Sequence, residues 1–283
     1  MGGVTNLISA FRLAHEIEEV VVIDVRWALT IGRAPGAAPV GRADYAAAHV
    51  PGAFFVDLDS ELAGPPGERG RHPLPEAATV EATLRRCGVS EHTRVVVYDG
   101  RDSWAASRAW WVFRWAGLAD VRVLDGGFAA WSAAGLPVSA EQPEPRHGDV
   151  TVRPGSMPAI DVTEAGVWAR DGLLLDARSA ERYAGEGETL DPVGGHVPGA
   201  VSSPLTTWQA GDGRFRRDLA SRWAQVSAGH SGEVAVYCGS GITAAHQVLA
   251  LAEIGVHASL YPGSWSEWSL DPERPVATGP EPG

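Results

Sequence analysis

VAVYCGSGITAAHQVLALAEIGV, residues 234–256, runs from an apolar stretch into a cysteine, then glycines and small hydroxyl residues, then a helical pattern. An apolar strand that turns through a Gly-rich loop into a helix is the repeating unit of a parallel α/β sheet. In such sheets ligands gather beyond the C-terminal ends of the strands. Cys238 therefore stands where chemistry is expected. Gly239 and Gly241 permit a tight loop whose N–H groups converge on one point, and Ile242 and Thr243 open the helix. The unpaired N–H groups and positive dipole end of that helix add to the focus. A thiol in this setting is favoured as the reactive thiolate, and the loop would hold an anion formed on its sulfur.

Working outward, the chain repeats itself in order. VVIDVRW (21–27) resembles LLLDARS (173–179), and HVPGA occurs at 49–53 and again at 196–200. VVVYDG (95–100) resembles VAVYCG (234–239), and VLDGGFAAW (123–131) resembles LYPGSWSEW (260–268). Four matches in one order imply two copies of one fold, with loops of different length. Each copy begins with a helical segment, 5–16 or 163–171, for which Thr5 and Thr163 are the expected N-caps. Strands follow near 20–24, 53–56, 94–98 and 121–124, and near 173–176, 200–202, 233–237 and 258–261. Continuous apolar strands alternating with helices predict parallel sheets covered on both faces. The Pro-rich stretch 137–158 reads as an interdomain linker. The copies differ at one decisive place, Asp99 against Cys238, so a cysteine nucleophile would make only the second copy active.

Composition bounds the function. The formal charge of −12 argues against general nucleic-acid binding and against an anionic membrane surface. No apolar run reaches the length of a membrane span, and the first residues lack a basic segment followed by an apolar one, so a cytoplasmic protein is expected. Two cysteines, Cys87 and Cys238, do not make a disulfide framework in 283 residues; at least one free thiol in a reducing compartment is expected. Cys87 reads as structural. The Asp24–Arg26 and Asp176–Arg178 pairs recur in both copies and read as ion pairs bracing strand ends; His49, His196 and His246 read as scaffold. His230 and His257 show no metal-ligand spacing, and no metal or cofactor is expected. The run SRAWWVFRW (107–115) reads as a core helix, and Trp208 and Trp265 as candidate pocket aromatics.

The loop narrows the reaction class. A cysteine phosphatase needs an arginine six residues after its nucleophile, where this chain has Ala244. No cysteine-hydrolase signature accompanies the thiol. The tandem copies, the paired HVPGA, Asp99 in one loop and Cys238 in the other instead resemble a two-domain rhodanese-type sulfurtransferase, over nearly the whole chain. CGSGIT (238–243) resembles the 3-mercaptopyruvate branch, usually C-G-S/T-G-V-T, where thiosulfate enzymes usually carry the basic C-R-K-G-V-T; YPGSWSEW (261–268) resembles the same branch.

The resemblance implies an α/β fold of two tandem rhodanese-like domains, each a parallel sheet with helices on both faces. Residues 1–140 would form an inactive domain, 141–158 the linker and 159–283 the catalytic domain. It implies sulfur transfer by a ping-pong route through a Cys238 persulfide, from 3-mercaptopyruvate or alternatively thiosulfate, to a thiol or cyanide; thioredoxin is among the thiol candidates. A persulfide carrier with little turnover of its own is a third reading. Gly239, Ser240, Gly241, Ile242 and Thr243 would form the binding loop, and Arg182 in DARSAERYAG would hold the substrate carboxylate. Ser240 would work with His72, from the Gly/Pro-rich LAGPPGERGRHPLP, and with Asp59, Asp57 being equally close in sequence. The branch often has a second arginine shortly before H-x-P-G; GEGETLDPVGGHVPG (185–199) has none.

Overall fold

The structure, a computed structural model, describes residues 5–30, 37–144, 146–230 and 232–283. The chain divides into two compact units. One comprises Met1–Gly64, Leu74–Ser156 and Gly211–Arg214; the other comprises Pro65–Pro73, Met157–Ala210 and Phe215–Gly283. The second unit thus includes nine residues from the first half of the sequence, and these carry His72.

Among the described residues the first unit holds five strands: β1 (Leu7–Ile8), β2 (Val21–Asp24), β3 (Phe54–Phe55), β4 (Val95–Tyr98) and β5 (Val121–Leu124). They pair in the order β1-β5-β4-β2-β3, every pair parallel. The second holds β6 (Leu173–Asp176), β7 (Val201–Ser202), β8 (Val234–Tyr237) and β9 (Ala258–Leu260), in the order β7-β6-β8-β9, again all parallel. All four residues of β2, β4, β6 and β8 are buried, as strands covered on both faces require. Each buried valine or leucine side chain in them contributes about 1.5–3 kcal/mol relative to exposure. The helix Trp104–Trp115 packs Trp110, Trp111 and Phe113 into the first unit's interior.

The recurring motifs are structural in both units. Tyr98 stands opposite Asp24, and Tyr237 opposite Asp176. The hydroxyl of Tyr98 accepts from Val50 N–H at 3.1 Å, and that of Tyr237 from Val197 N–H at 3.2 Å, which ties each HVPGA to a strand end. His49 stacks on Tyr45 and His196 on Tyr183, with ring centroids 4.1 and 3.7 Å apart. Arg26 donates to Asp24 and to Ala48 O, each from Nη2 at 2.6 Å. Arg178 donates from Nη2 to Asp176 at 2.6 Å and to Gly195 O at 2.5 Å. With these partners each buried guanidinium faces a carboxylate and a backbone carbonyl, which offsets much of the cost of holding a charge inside a fold.

Three sequence expectations change. Ser9, not Thr5, caps the first helix, which spans Ala10–Glu16, because β1 occupies Leu7–Ile8 ahead of it. Asp161, not Thr163, caps Val162–Asp171, in a capping box with Glu164 that outcompetes a threonine inside the helix. Trp208 and Trp265 are fully buried: their ring N–H groups donate to Ser203 Oγ and Val193 O, so both are core rather than pocket lining. Among the described residues no helix is long and apolar enough to cross a membrane, and no group of His, Cys, Asp and Glu could hold a metal ion.

Candidate active site

Cys238 follows directly on β8, an interior strand of its sheet, and the helix Ile242–Glu253 starts four residues later. Gly241 caps that helix at φ +77°, and its N–H donates to Cys238 Sγ at 3.1 Å. The first-turn N–H groups of the helix, those of Ile242 and Thr243 among them, have no acceptor within the helix. The helix Ser264–Trp268 fixes the loop from the other side. Cys238 N–H donates to Ser264 Oγ at 3.1 Å; Cys238 O accepts from Trp265 N–H at 3.0 Å, and Gly239 O from Ser266 N–H at 2.9 Å. The GSWSEW segment thus supports the cysteine loop. Cys238 is buried and unpaired with any other cysteine, as is Cys87. Burial pushes the Cys87 thiol up to about 12, so it stays protonated and inert at neutral pH.

The segment 65–73 brings two more side chains to this loop. Arg71 N–H donates to Ser266 Oγ at 3.0 Å, which anchors the segment. His72 Nδ1 lies 2.8 Å from Ser240 Oγ, and both residues are buried. Arg182, on the helix Ala180–Ala184 after β6, reaches the same place: a Cβ on Gly239 would lie 3.3 Å from its Nη1 and 3.2 Å from Arg71 Nη2. Arg182 Nη2 pairs with Glu188 at 2.9 Å and with Asp191 at 3.0 Å, and Arg71 also pairs with Asp191. Burial opposes ionisation of Glu188, but the N–H groups of Leu190 and Asp191 and the Arg182 guanidinium outweigh it and hold its carboxyl below the usual range.

Arg71, Asp191 and Glu188 were not among the residues expected from sequence. The usable signal for Arg71 was adjacency: a loop that delivers His72 delivers its neighbour too. Asp59 belongs to the first unit, where its Oδ1 accepts from Trp27 Nε1 at 2.8 Å. Asp57 has a local role, accepting from Ser60 Oγ at 2.6 Å at the start of Leu58–Glu61.

The first unit's loop shows the alternative to a thiol. Asp99 follows β4, and its carboxylate accepts from the N–H groups of Arg101, Ser103 and Ala106 at 3.1, 3.0 and 3.2 Å. Asp99 O and Gly100 O accept from Phe128 and Ala129 N–H, as Cys238 O and Gly239 O do from Trp265 and Ser266. The same scaffold is therefore filled by its own anion. Burial pushes the Asp99 carboxyl up to about 6, against those three amides, which hold it down. Its folded value lies above the ordinary one near 3.9, so this group's stabilisation is complete below pH ~4 and lost as pH rises through about 6. The difference amounts to about 3 kcal/mol at neutral pH. Carboxyl NMR titration of Asp99 is expected to show a midpoint near 6, and Asp99→Ala to remove that part of the pH dependence of unfolding.

The sequence matches the Rhodanese-like domain family at residues 9–134 and 161–271. A Mycobacterium tuberculosis protein provisionally named as a thiosulfate sulfurtransferase, SseB, is 45% identical over 282 residues, covering 96% of this chain and 97% of that protein. A Pseudomonas aeruginosa protein, provisionally named as a 3-mercaptopyruvate sulfurtransferase, is 41% identical over 97% of this chain and 98% of its own length. The crystal structure of the 3-mercaptopyruvate sulfurtransferase SseA from Escherichia coli superposes with a TM-score of 0.78 at 31% identity, covering 93% of this chain and all of that one. Two matched domains, two parallel sheets of the same register and relatives similar along their whole length place the chain in the rhodanese-like family, as a tandem of two rhodanese-like domains.

Proposed function

We propose that this chain is a sulfurtransferase that takes sulfur from 3-mercaptopyruvate onto Cys238 and passes it to a thiol or cyanide. The observation that carries the donor assignment is the buried Ser240–His72 pair, 2.8 Å apart, beside the thiol. A thiol donor has a proton to give up; thiosulfate has none. The Cys238 thiolate attacks the donor sulfur, and a new S–S bond forms. The C–S bond breaks, and its electron pair stays on carbon as the enolate of pyruvate. The donor's thiol proton passes through Ser240 to His72 and then to that carbon. The products are pyruvate and a Cys238 persulfide anion, held by Gly241 N–H and the first-turn amides. A thiol acceptor, thioredoxin being one of suitable chemistry, or cyanide then removes the outer sulfur. The role of Asp59 toward the imidazole rests on the resemblance alone. The 159–283 segment would be the catalytic domain and 1–140 the inactive one, since Asp99 stands where the thiol would be. A reducing compartment such as the cytoplasm suits the two free thiols.

Thiosulfate is the second reading, favoured by the absence of an arginine in 185–195 and by the name of the M. tuberculosis relative. The test is parallel measurement of pyruvate release from 3-mercaptopyruvate and sulfite release from thiosulfate, with intact mass before and after each donor. Pyruvate release at the higher kcat/KM, with a gain of one sulfur, is the expected result. Sulfite release at the higher kcat/KM would transfer the assignment to thiosulfate. A sulfur adduct without turnover on either donor would leave the carrier reading.

A further inference from the structure

Four charged side chains meet beside the cysteine loop: Arg71, Arg182, Asp191 and Glu188. Their formal charges cancel, so the cluster as it stands offers an anion no net attraction. The two carboxylates are not held alike. Glu188 Oε1 accepts from the N–H groups of Thr189, Leu190 and Asp191 at 3.0, 2.8 and 3.2 Å, so the backbone fixes it. The Asp191 carboxylate is buried, and among the described residues its hydrogen bonds come from guanidinium groups: both terminal nitrogens of Arg71, and Nη2 of Arg182. It sits in the two guanidiniums as a ligand carboxylate would. The cluster also has one spare donor: Arg71 Nε is buried with no acceptor among the described residues. The guanidiniums stand next to Gly239, one residue from the nucleophile, with Arg71 Nη2 donating to Gly239 O at 3.2 Å.

We infer that Arg71 and Arg182 form a two-armed clamp for the donor's anionic group, and that Asp191 occupies this clamp at rest and is displaced by the donor. This rests on the sulfur-transfer reading above and deepens it. Arg71 supplies, from a different segment, the second cation that 185–195 lacks. Glu188, fixed by the backbone of its own loop, stays with Arg182 after the exchange and orients it, while the Asp191 side chain alone turns out of the clamp. The exchange replaces one carboxylate by another, so a carboxylate-bearing donor fits it without change of local charge.

The experiment compares wild type, Arg71→Ala, Arg71→Lys and Asp191→Asn, each checked by thermal melt. It measures kcat and KM for 3-mercaptopyruvate, the inhibition constant of pyruvate as an unreactive carboxylate probe, and the Cys238 sulfur adduct at saturating donor. Arg71→Ala is expected to raise KM about 10- to 100-fold with a far smaller change in kcat, and Arg71→Lys to recover part of it. Asp191→Asn removes the internal competitor and is expected to tighten pyruvate inhibition several-fold. An unchanged KM in Arg71→Ala would overturn the clamp. Weaker pyruvate inhibition in Asp191→Asn would overturn the exchange and make Asp191 a brace. Absence of the adduct in wild type would instead fail the sulfur-transfer reading itself.

Discussion

Cys238→Ser abolishes sulfur transfer from either donor, by roughly a thousandfold or more, and the protein no longer gains sulfur mass when mixed with donor. Serine is close to cysteine in volume, and its Oγ can accept the Gly241 N–H that now points to Sγ at 3.1 Å. The fold is therefore retained, and a melt within a few degrees of wild type is expected. What is lost is the nucleophile. A hydroxyl is far less ionised than a thiol at neutral pH, and oxygen does not form the S–S bond that stores the sulfur. Cys87→Ala is the matched control. That thiol is buried, pushed up to about 12, and outside the loop, so its variant is expected to take up one sulfur as wild type does. Retained adduct in Cys238→Ser, or its loss in Cys87→Ala, would place the sulfur on the wrong cysteine.

Much of the fold was legible because the signals were local and repeated. β2, β4, β6 and β8 are short, predominantly apolar runs, and each pattern appears twice. The two-residue β1 was missed for the opposite reason. It is too short to show a period, and its strand state comes from pairing with β5 through Leu7–Val123 and Ile8–Leu124, which no local pattern encodes. Trp208 and Trp265 were misplaced because an aromatic residue has the same identity in a pocket or in a core. Their burial is decided by which backbone oxygen or hydroxyl stands ready for the ring N–H.

The site divides the same way. Cys238 through Thr243 are contiguous, so their proximity was given by the chain itself. Arg182 could be named from its motif, but its counter-ions could not, since Glu188 and Asp191 sit on a loop without a period. Arg71 was hidden by distance: it lies 168 residues from Gly239 in sequence, and only the fold closes that gap.

Gly241→Ala is expected to destabilise the second unit by about 3 kcal/mol, seen as a fall of roughly 10 °C in its melt, and to lower kcat/KM beyond what the unfolded fraction explains. The argument does not rest on the backbone angle alone. Ser103 caps the corresponding helix of the first unit at φ +59°, so a side chain in the left-handed region is tolerated there. What differs at Gly241 is the space. A Cβ would lie 2.4 Å from Pro262 O and 3.1 Å from Pro262 C and Cα, all backbone atoms that cannot rotate away. Either Pro262 moves, with the Ser264–Trp268 helix that fixes the loop, or the Gly241 peptide turns. Both carry the Gly241 N–H away from Cys238 Sγ, and with it the donor that would stabilise the persulfide anion. The catalytic loss is therefore expected to persist at temperatures where the variant is fully folded. Measuring kcat/KM 20 °C or so below the variant's own melt separates the two effects: near-wild-type kcat/KM there would show that Gly241 serves only the turn.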